Sequence, residues 1–341
     1  MPTASPFAGH EPRILELHSD LIRAEFCSYG ARLTALYLRN PDGSETNIAL
    51  GFPQLDDYPA HDSYVGAICG RFANRIAQAR FELDGTPIAL SANEGPNQLH
   101  GGAEGFDRRH WDTLAFDYRS VTFALTSPDG DQGYPGTMKI QVTYRIIDED
   151  RLQCLITATC DRPTVVNLTN HAYWNLSGDF SRSAADHLLQ IDADEYLPVD
   201  EQLIPLPGRS SVEDTAFDFR EEKSISERLD ESGGYDHNFC LDGARGQLRP
   251  VARLTDPESG RSLSLSTTEA GLQFYLARHF SPALSSREGR PLHPAAGIAL
   301  EPQTYPDSPN RPDFPSARLE PGEVYEHLIE WKFAPGPEPT L

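Results

Sequence analysis

Met138-Lys-Ile-Gln-Val-Thr-Tyr-Arg-Ile146 places apolar side chains at every second position, with Lys139, Gln141, Thr143 and Arg145 between them. Side chains of an extended chain alternate between two faces, so this stretch reads as a half-buried β-strand; a helix would repeat every 3.6 residues. Beyond the polar turn Asp148-Glu-Asp150, the residues Leu152, Cys154, Ile156 and Ala158 repeat the pattern, and the two runs form a hairpin. The C-terminal region alternates in the same way, with Tyr325, His327, Ile329, Trp331 and Phe333 on one face. Asp84-Gly85 joins Phe81-Glu-Leu83 to Ile88-Ala-Leu90 through a dipeptide suited to the positive φ of a tight hairpin. Further strands are predicted at 14–17, 21–26, 32–38, 121–126, 164–170, 188–193, 262–267, 272–277 and 297–301.

Only Ser224 to Leu229 reads as helical, with Ser224 as N-cap and Glu227 three positions later. The 28 prolines and 26 glycines fall mostly between the apolar runs, as many loops joining many strands require. Length alone would suggest two domains at roughly 150 residues each, but large all-β folds run longer as one unit. With no linker and no internal repeat, residues 1–341 are expected to form a single all-β domain, a large antiparallel β-sandwich.

Charge and composition remove several function classes. A formal net charge of -22 opposes binding to a phosphate backbone, so no nucleic-acid partner is expected. No stretch approaches the roughly 18 consecutive apolar residues of a membrane span. Residues 1–11 lack the basic start and apolar run of a signal peptide. The five cysteines (Cys27, Cys69, Cys154, Cys160, Cys240) are odd in number and form no CxxC pair, so they read as reduced, mostly buried thiols in a cytoplasmic protein.

Five segments depart from plain strand or turn chemistry: 70–76, 95–102, 167–175, 235–239 and 300–307. Each sets His, Asp, Glu, Arg or Asn beside aromatic residues, a mixture suited to a neutral polyol, whose hydroxyls need donors and acceptors and whose C–H faces need an apolar wall. Glu301 follows the apolar run Gly297-Ile-Ala-Leu300 and precedes Pro302; it is either a costly buried carboxylate or a surface residue at a strand terminus. His171 ends the predicted strand at 164–170 and is either a reactive imidazole or a core histidine held by hydrogen bonds. After His100, Gly101-Gly102 either let backbone approach a ligand or make a turn. Arg71 and Arg75 would otherwise sit on a solvated strand edge, and Asp236-His-Asn238 is open to a reading as an Asx-turn. No HExxH, no zinc-spaced Cys/His pair and no complete calcium loop is present, so no metal is expected. Nucleotide-binding loops are also absent.

Taken in order, these segments resemble the aldose 1-epimerase (galactose mutarotase) family over nearly the whole chain. The resemblance is carried by GRFANRI at 70–76, NQLHGG at 97–102 and DGDQGYPG at 129–136. It continues with NLTNHAYWNL at 167–176, YDHNF at 235–239, GLQFY at 271–275 and LEPQTYPDSPN at 300–310. It implies a galactose mutarotase-like supersandwich with an open site on a concave face. It also implies Glu301 as catalytic base, His171 as catalytic acid, and Arg75, Asn74, His100, Asp236 and Gln273 as sugar-binding residues. Gln132, where an acidic residue is common, and Leu206-Pro207 depart from the pattern away from the acid–base pair.

The implied reaction interconverts the α and β anomers of a free aldohexose such as galactose or glucose. A base takes the C1 hydroxyl proton, an acid protonates the ring oxygen, and the open-chain aldehyde recloses on its other face. Only protons move, so no cofactor is expected, and the partner is a small-molecule aldose. The pair is expected to flank C1–O5 from opposite sides, with Glu301 raised by partial burial and His171 kept protonated near other carboxylates. Three alternatives stand beside this reading. They are a hexose-6-phosphate 1-epimerase, a glycoside hydrolase using Asp236 and Glu301, and a non-catalytic sugar-binding protein on the same scaffold. Trp174 and Tyr173 are candidates to stack on the sugar or to pack in the core. Monomer and homodimer are both open.

Overall fold

In the computed structural model, which describes residues 11–337, the hairpin at 138–160 forms the middle of a nine-stranded antiparallel sheet. Met138–Asp148 pairs with Arg151–Cys160 as the predicted hairpin, with Ile146 opposite Leu152 and Met138 opposite Cys160. The alternation behaves as predicted: Met138, Ile140, Val142, Tyr144 and Ile146 are all buried, and Lys139, Gln141 and Arg145 are exposed. Ser120–Ser127 and then Asp112–Phe116 extend the sheet on one side. On the other side follow Tyr325–Ala334, Ser262–Thr267, Arg249–Thr255, Leu188–Ile191 and Lys223–Ser224.

A second, six-stranded antiparallel sheet carries the chemistry. Its order is Tyr173–Trp174, Ile298–Gln303, Gly271–Leu276, Asp236–Cys240, Glu195–Tyr196, Ser210–Ser211. Its apolar face (Trp174, Ile298, Leu300, Leu272, Phe274, Phe239) joins the main core, and Trp174 meets Trp331 and Phe333 of the nine-stranded sheet at ring distances of 5.9 and 5.7 Å. A four-stranded sheet from Ile14–His18 to Glu45–Asn47 adds Leu17, Phe26, Leu36 and Leu38 to the same core. The architecture is the expected all-β antiparallel sandwich. All five cysteines are unpaired, and all but the half-buried Cys160 are buried. Among the described residues no helix is long and apolar enough to cross a membrane. The reading of the first ten residues lies outside the described part.

Four local expectations are corrected. The predicted strand at 164–170 is two short pieces, Thr164–Val165 on Arg318–Leu319 and Thr169–Asn170 on Ile68–Cys69. Between them Asn167 turns its amide to Ala73 O (3.0 Å) and takes the Thr304 N–H on Oδ1 (3.0 Å), which diverts the chain. Ser224 caps no helix, because the amides of Ile225 and Ser226 are given to the carbonyls of His187 and Ala185; the short helix is Leu229–Ser232. Asp236-His-Asn238 forms a strand and not an Asx-turn. Finally, Glu301 sits inside its strand, which runs through Pro302 to Gln303, since proline's fixed φ suits extended backbone and removes only a donor.

Candidate active site

Antiparallel partners point to the same side of a sheet, so register alone collects the polar residues of the six-stranded sheet on the face away from the core. Asn238, Gln273 and Glu301 form one cross-strand row, and Asp236, Tyr275, Ala299 and Tyr173 form the next. Gln273 Nε2 donates to Asp236 Oδ1 (2.6 Å).

Facing this row are turns contributed by distant parts of the chain. Thr169–Asn170 ends at His171, whose main chain is held at both ends: its N–H donates to Ala67 O (2.8 Å) and its C=O accepts from Gly66 N–H (2.9 Å). Arg75–Ile76 pairs with Gln98–Leu99, which sets Asn74 beside His100. Both take left-handed backbone (φ 65° and 49°), a region Asn and His enter more readily than most side chains. The two residues clasp each other: His100 N–H donates to Asn74 O and Asn74 N–H donates to His100 Nδ1, each at 3.1 Å.

These elements enclose a cavity of about 180 Å³ lined by Asn74, Arg75, His100, His171, Asp236 and Glu301, together with Asp62, Tyr64, Glu94, Leu99, Tyr173, Tyr275 and His279. His171 Nε2 is 3.5 Å from Glu301 Oε1, and both residues are buried. Arg75 grips Glu94 with two hydrogen bonds (2.7 and 2.9 Å) and approaches Asp236 at 3.7 Å. Glu301 Oε2, Gln273 Oε1 and His171 Nδ1 are buried without a hydrogen-bond partner. Glu301 and His171 line the cavity and Gln273 stands behind it, bonded to the lining residue Asp236, so a polar ligand there would meet groups with hydrogen-bonding capacity to spare.

Burial governs the charges. It pushes the Glu301 carboxyl well above the usual carboxylate range, an effect reinforced by Asp236 and opposed by Arg75. It pushes the His171 imidazole down to about 3. His100 is driven well below its ordinary value by burial, with His171 and Arg75 adding to the effect. Both shifts run toward the neutral forms, against the standing imidazolium expected at 171: burial dominates at His171, with His279 and Arg32 lowering it further.

His100, His171 and Glu301 offer nitrogen and oxygen atoms within 4.8 Å of one another, in kind a zinc-like donor set. The hydrogen bonding of His100 fits a metal poorly. Its Nδ1 already accepts the Asn74 N–H, so in the neutral ring the proton sits on Nε2, the nitrogen a metal would need.

Of the residues singled out in the sequence, Glu301, His171, Asn74, Arg75, His100, Asp236 and Gln273 come together at this one place. Arg71 does not: its guanidinium is buried against the carbonyls of Ser127, Pro135 and Gly136 and braces that loop. Trp174 belongs to the core, whereas Tyr173 lines the cavity. Gly101 serves packing, since a Cβ there would fall 1.9 Å from Gly70 O. Sequence reasoning missed Tyr64, Glu94, Tyr275 and His279. Tyr275 lay within the quoted GLQFY run, and Glu94 stands just before NQLHGG; a single chain gives neither any further mark.

The family profile described as aldose 1-epimerase matches residues 13–332. A galactose mutarotase from Bos taurus is 41% identical over 321 residues, covering 94% of this chain and 93% of its own. An aldose 1-epimerase from Escherichia coli is 41% identical over 334 residues, covering 95% and 96%. Among solved structures, an aldose epimerase homologue from C. elegans superposes with a TM-score of 0.89 at 31% identity, covering 96% of this chain and all of its own. A galactose 1-epimerase from Lactobacillus acidophilus gives 0.80 at 29% identity, covering 96% and 99%. A profile match over nearly the full length, together with relatives alike from end to end, shows that the chain belongs to the aldose 1-epimerase family.

Proposed function

We propose that the protein is an aldose 1-epimerase in which Glu301 and His171 exchange protons with the two oxygens on the anomeric carbon of a free aldose. One observation carries this assignment of roles: His171 Nε2 and Glu301 Oε1 stand 3.5 Å apart in the lining of one polar cavity. That spacing is short for groups meeting a ring from opposite sides, and it suits two groups reaching oxygens borne by the same carbon.

In the forward step Glu301 carboxylate takes the C1 hydroxyl proton while His171 imidazolium gives its proton to the ring oxygen. The C1–O5 bond breaks, and the aldehyde forms. Rotation about C1–C2 and reversal of both transfers yields the other anomer. The reactive ion pair and the resting pair, carboxylic acid beside neutral imidazole, hold the same number of protons and interconvert by moving one. Burial strengthens the base and the acid together, and opening the ring returns both to the neutral forms that burial favours. Arg75, Asn74, His100, Asp236 and Gln273 are assigned to the sugar's hydroxyls, with His100 Nε2–H as a fixed donor. The reaction moves only protons and calls for no redox or group-transfer cofactor.

The glycosidase alternative needs Asp236 as a free partner, yet its oxygens are engaged by Gln273 and Arg75. Every residue given a role here belongs to one chain, so the proposal covers a monomer or a homodimer, acting as one domain in the cytosol. Polarimetry on freshly dissolved α-galactose and α-glucose tests it. The protein should hasten the decay of rotation in proportion to its concentration. Unaltered decay would leave a sugar binder, and release from a chromogenic glycoside would point to hydrolysis.

A further inference from the structure

A reactive imidazole is usually oriented by a hydrogen bond to its other nitrogen. His171 has no such partner in another residue: its Nδ1 meets only its own main-chain carbonyl. The plane of the ring is therefore left to packing. Tyr64 stacks on His171 at 5.9 Å between centroids and 21° between planes, and touches His100 at 4.5 Å; Tyr173 approaches His171 at 4.8 Å and 39°.

Tyr64 is also tied to His171 through the backbone. The turn it begins is closed by Ala67 N–H to Tyr64 O (2.9 Å), and that same turn holds the His171 main chain through Gly66 and Ala67. Gly66 is locked in turn: its carbonyl accepts from Leu33 N–H and Asn170 Nδ2, both at 2.9 Å, and a Cβ on it would fall 1.8 Å from Leu33 O. Tyr64 itself holds φ 54°, a conformation an aromatic residue adopts at a cost. The strained residue and the imidazole are thus fixed to one and the same turn.

We propose that Tyr64 is a positioning residue for His171, its ring setting the plane in which His171 Nε2 meets the substrate. This rests on the acid–base reading of His171. The test compares Tyr64→Leu, which removes the ring, with Tyr64→Phe, which restores it. Two readouts are taken: steady-state mutarotation and the ring nitrogen and C2-proton resonances of His171, assigned by their loss in His171→Asn.

Tyr64→Leu is expected to lower kcat about ten-fold or more with KM changed less than about three-fold, because a small misalignment of a reacting group costs turnover more than binding. Its His171 resonances should move. Tyr64→Phe should recover kcat to within about three-fold of the parent and the parent resonances. If Tyr64→Leu does not fold, Tyr64→Met takes its place in the comparison. Unmoved resonances with unchanged kcat in the ring-less variant would overturn the proposal, as would a Phe variant as impaired as the Leu one. Should the parent protein fail to speed anomer exchange, the functional reading fails, while the resonance comparison still decides whether Tyr64 sets the His171 ring.

Discussion

Two carboxyls buried in this protein behave alike in physics and differ in use. In the proposed mechanism Glu301 and His171 share a single proton, and the pair titrates as a unit. A second proton is gained only at the His171 value of about 3, and the single proton is lost only at the raised Glu301 value. The kcat/KM profile should therefore show no imidazole-like fall on acidifying through 6.5, and its alkaline limb should report loss of the proton the pair shares. Glu301→Gln and His171→Asn should each reduce kcat about 10²-fold or more in the polarimetric assay. Asp107 is the carboxyl without a reactive partner: it is buried, its Oδ1 is unpaired, and burial lifts it to about 6 against the pull of Arg32 and Arg108. A folded value above the unfolded one means its contribution to stability is intact below pH 4 and is lost as pH rises through 6. Asp107→Asn should therefore stabilise the protein at pH 8, by on the order of 2–3 kcal/mol, seen as a raised melting temperature, and leave the melting temperature nearly unchanged at pH 4. Equal melting shifts at both pH values would contradict this.

On the strand Ile298–Gln303, stability and reactivity belong to opposite faces. Leu300 points into the core, and Glu301, the next residue, points into the cavity. Leu300→Ala should cost about 2–5 kcal/mol in denaturant unfolding with kcat retained at 25 °C, the reverse of Glu301→Gln. This two-sidedness also explains what the sequence discloses. Met138–Asp148 is legible because one face is core and the other solvent, so its alternation is written in residue type. Asp236–Cys240 is not, because its outer face is a polar cavity and its inner face begins with the half-buried His237; Asp-His-Asn carries no apolar period. Arg249–Thr255 is interrupted by Pro250 and a register shift, and Asp112–Phe116 is an edge strand with Leu114 and Phe116 exposed; neither shows a clean alternation. The candidate site residues are picked out through family-like motifs, whereas Tyr64 reaches His171 by stacking across the chain, which no local pattern records.

At the scale of the whole molecule, charge narrows the substrate. The chain carries -22, and Arg75, the one guanidinium lining the cavity among the described residues, is committed to Glu94 and Asp236. A hexose 6-phosphate should show kcat/KM at least about 10²-fold below that of the free hexose, with part of the deficit recovered at high salt. Comparable values for both sugars would favour the phosphate-specific alternative. The reactive surface is also assembled from pieces far apart along the chain: the turn at 64–67, the Asn74–His100 clasp, His171, and three strands of the six-stranded sheet. No fragment holding only one of these pieces has a competent pocket, and contacts of such long sequence separation close late and slowly. Turnover should then act as a clock for refolding. After dilution from denaturant, regained catalysis is expected to lag the far-ultraviolet signal of β-structure, and saturating sugar should draw the last stage forward.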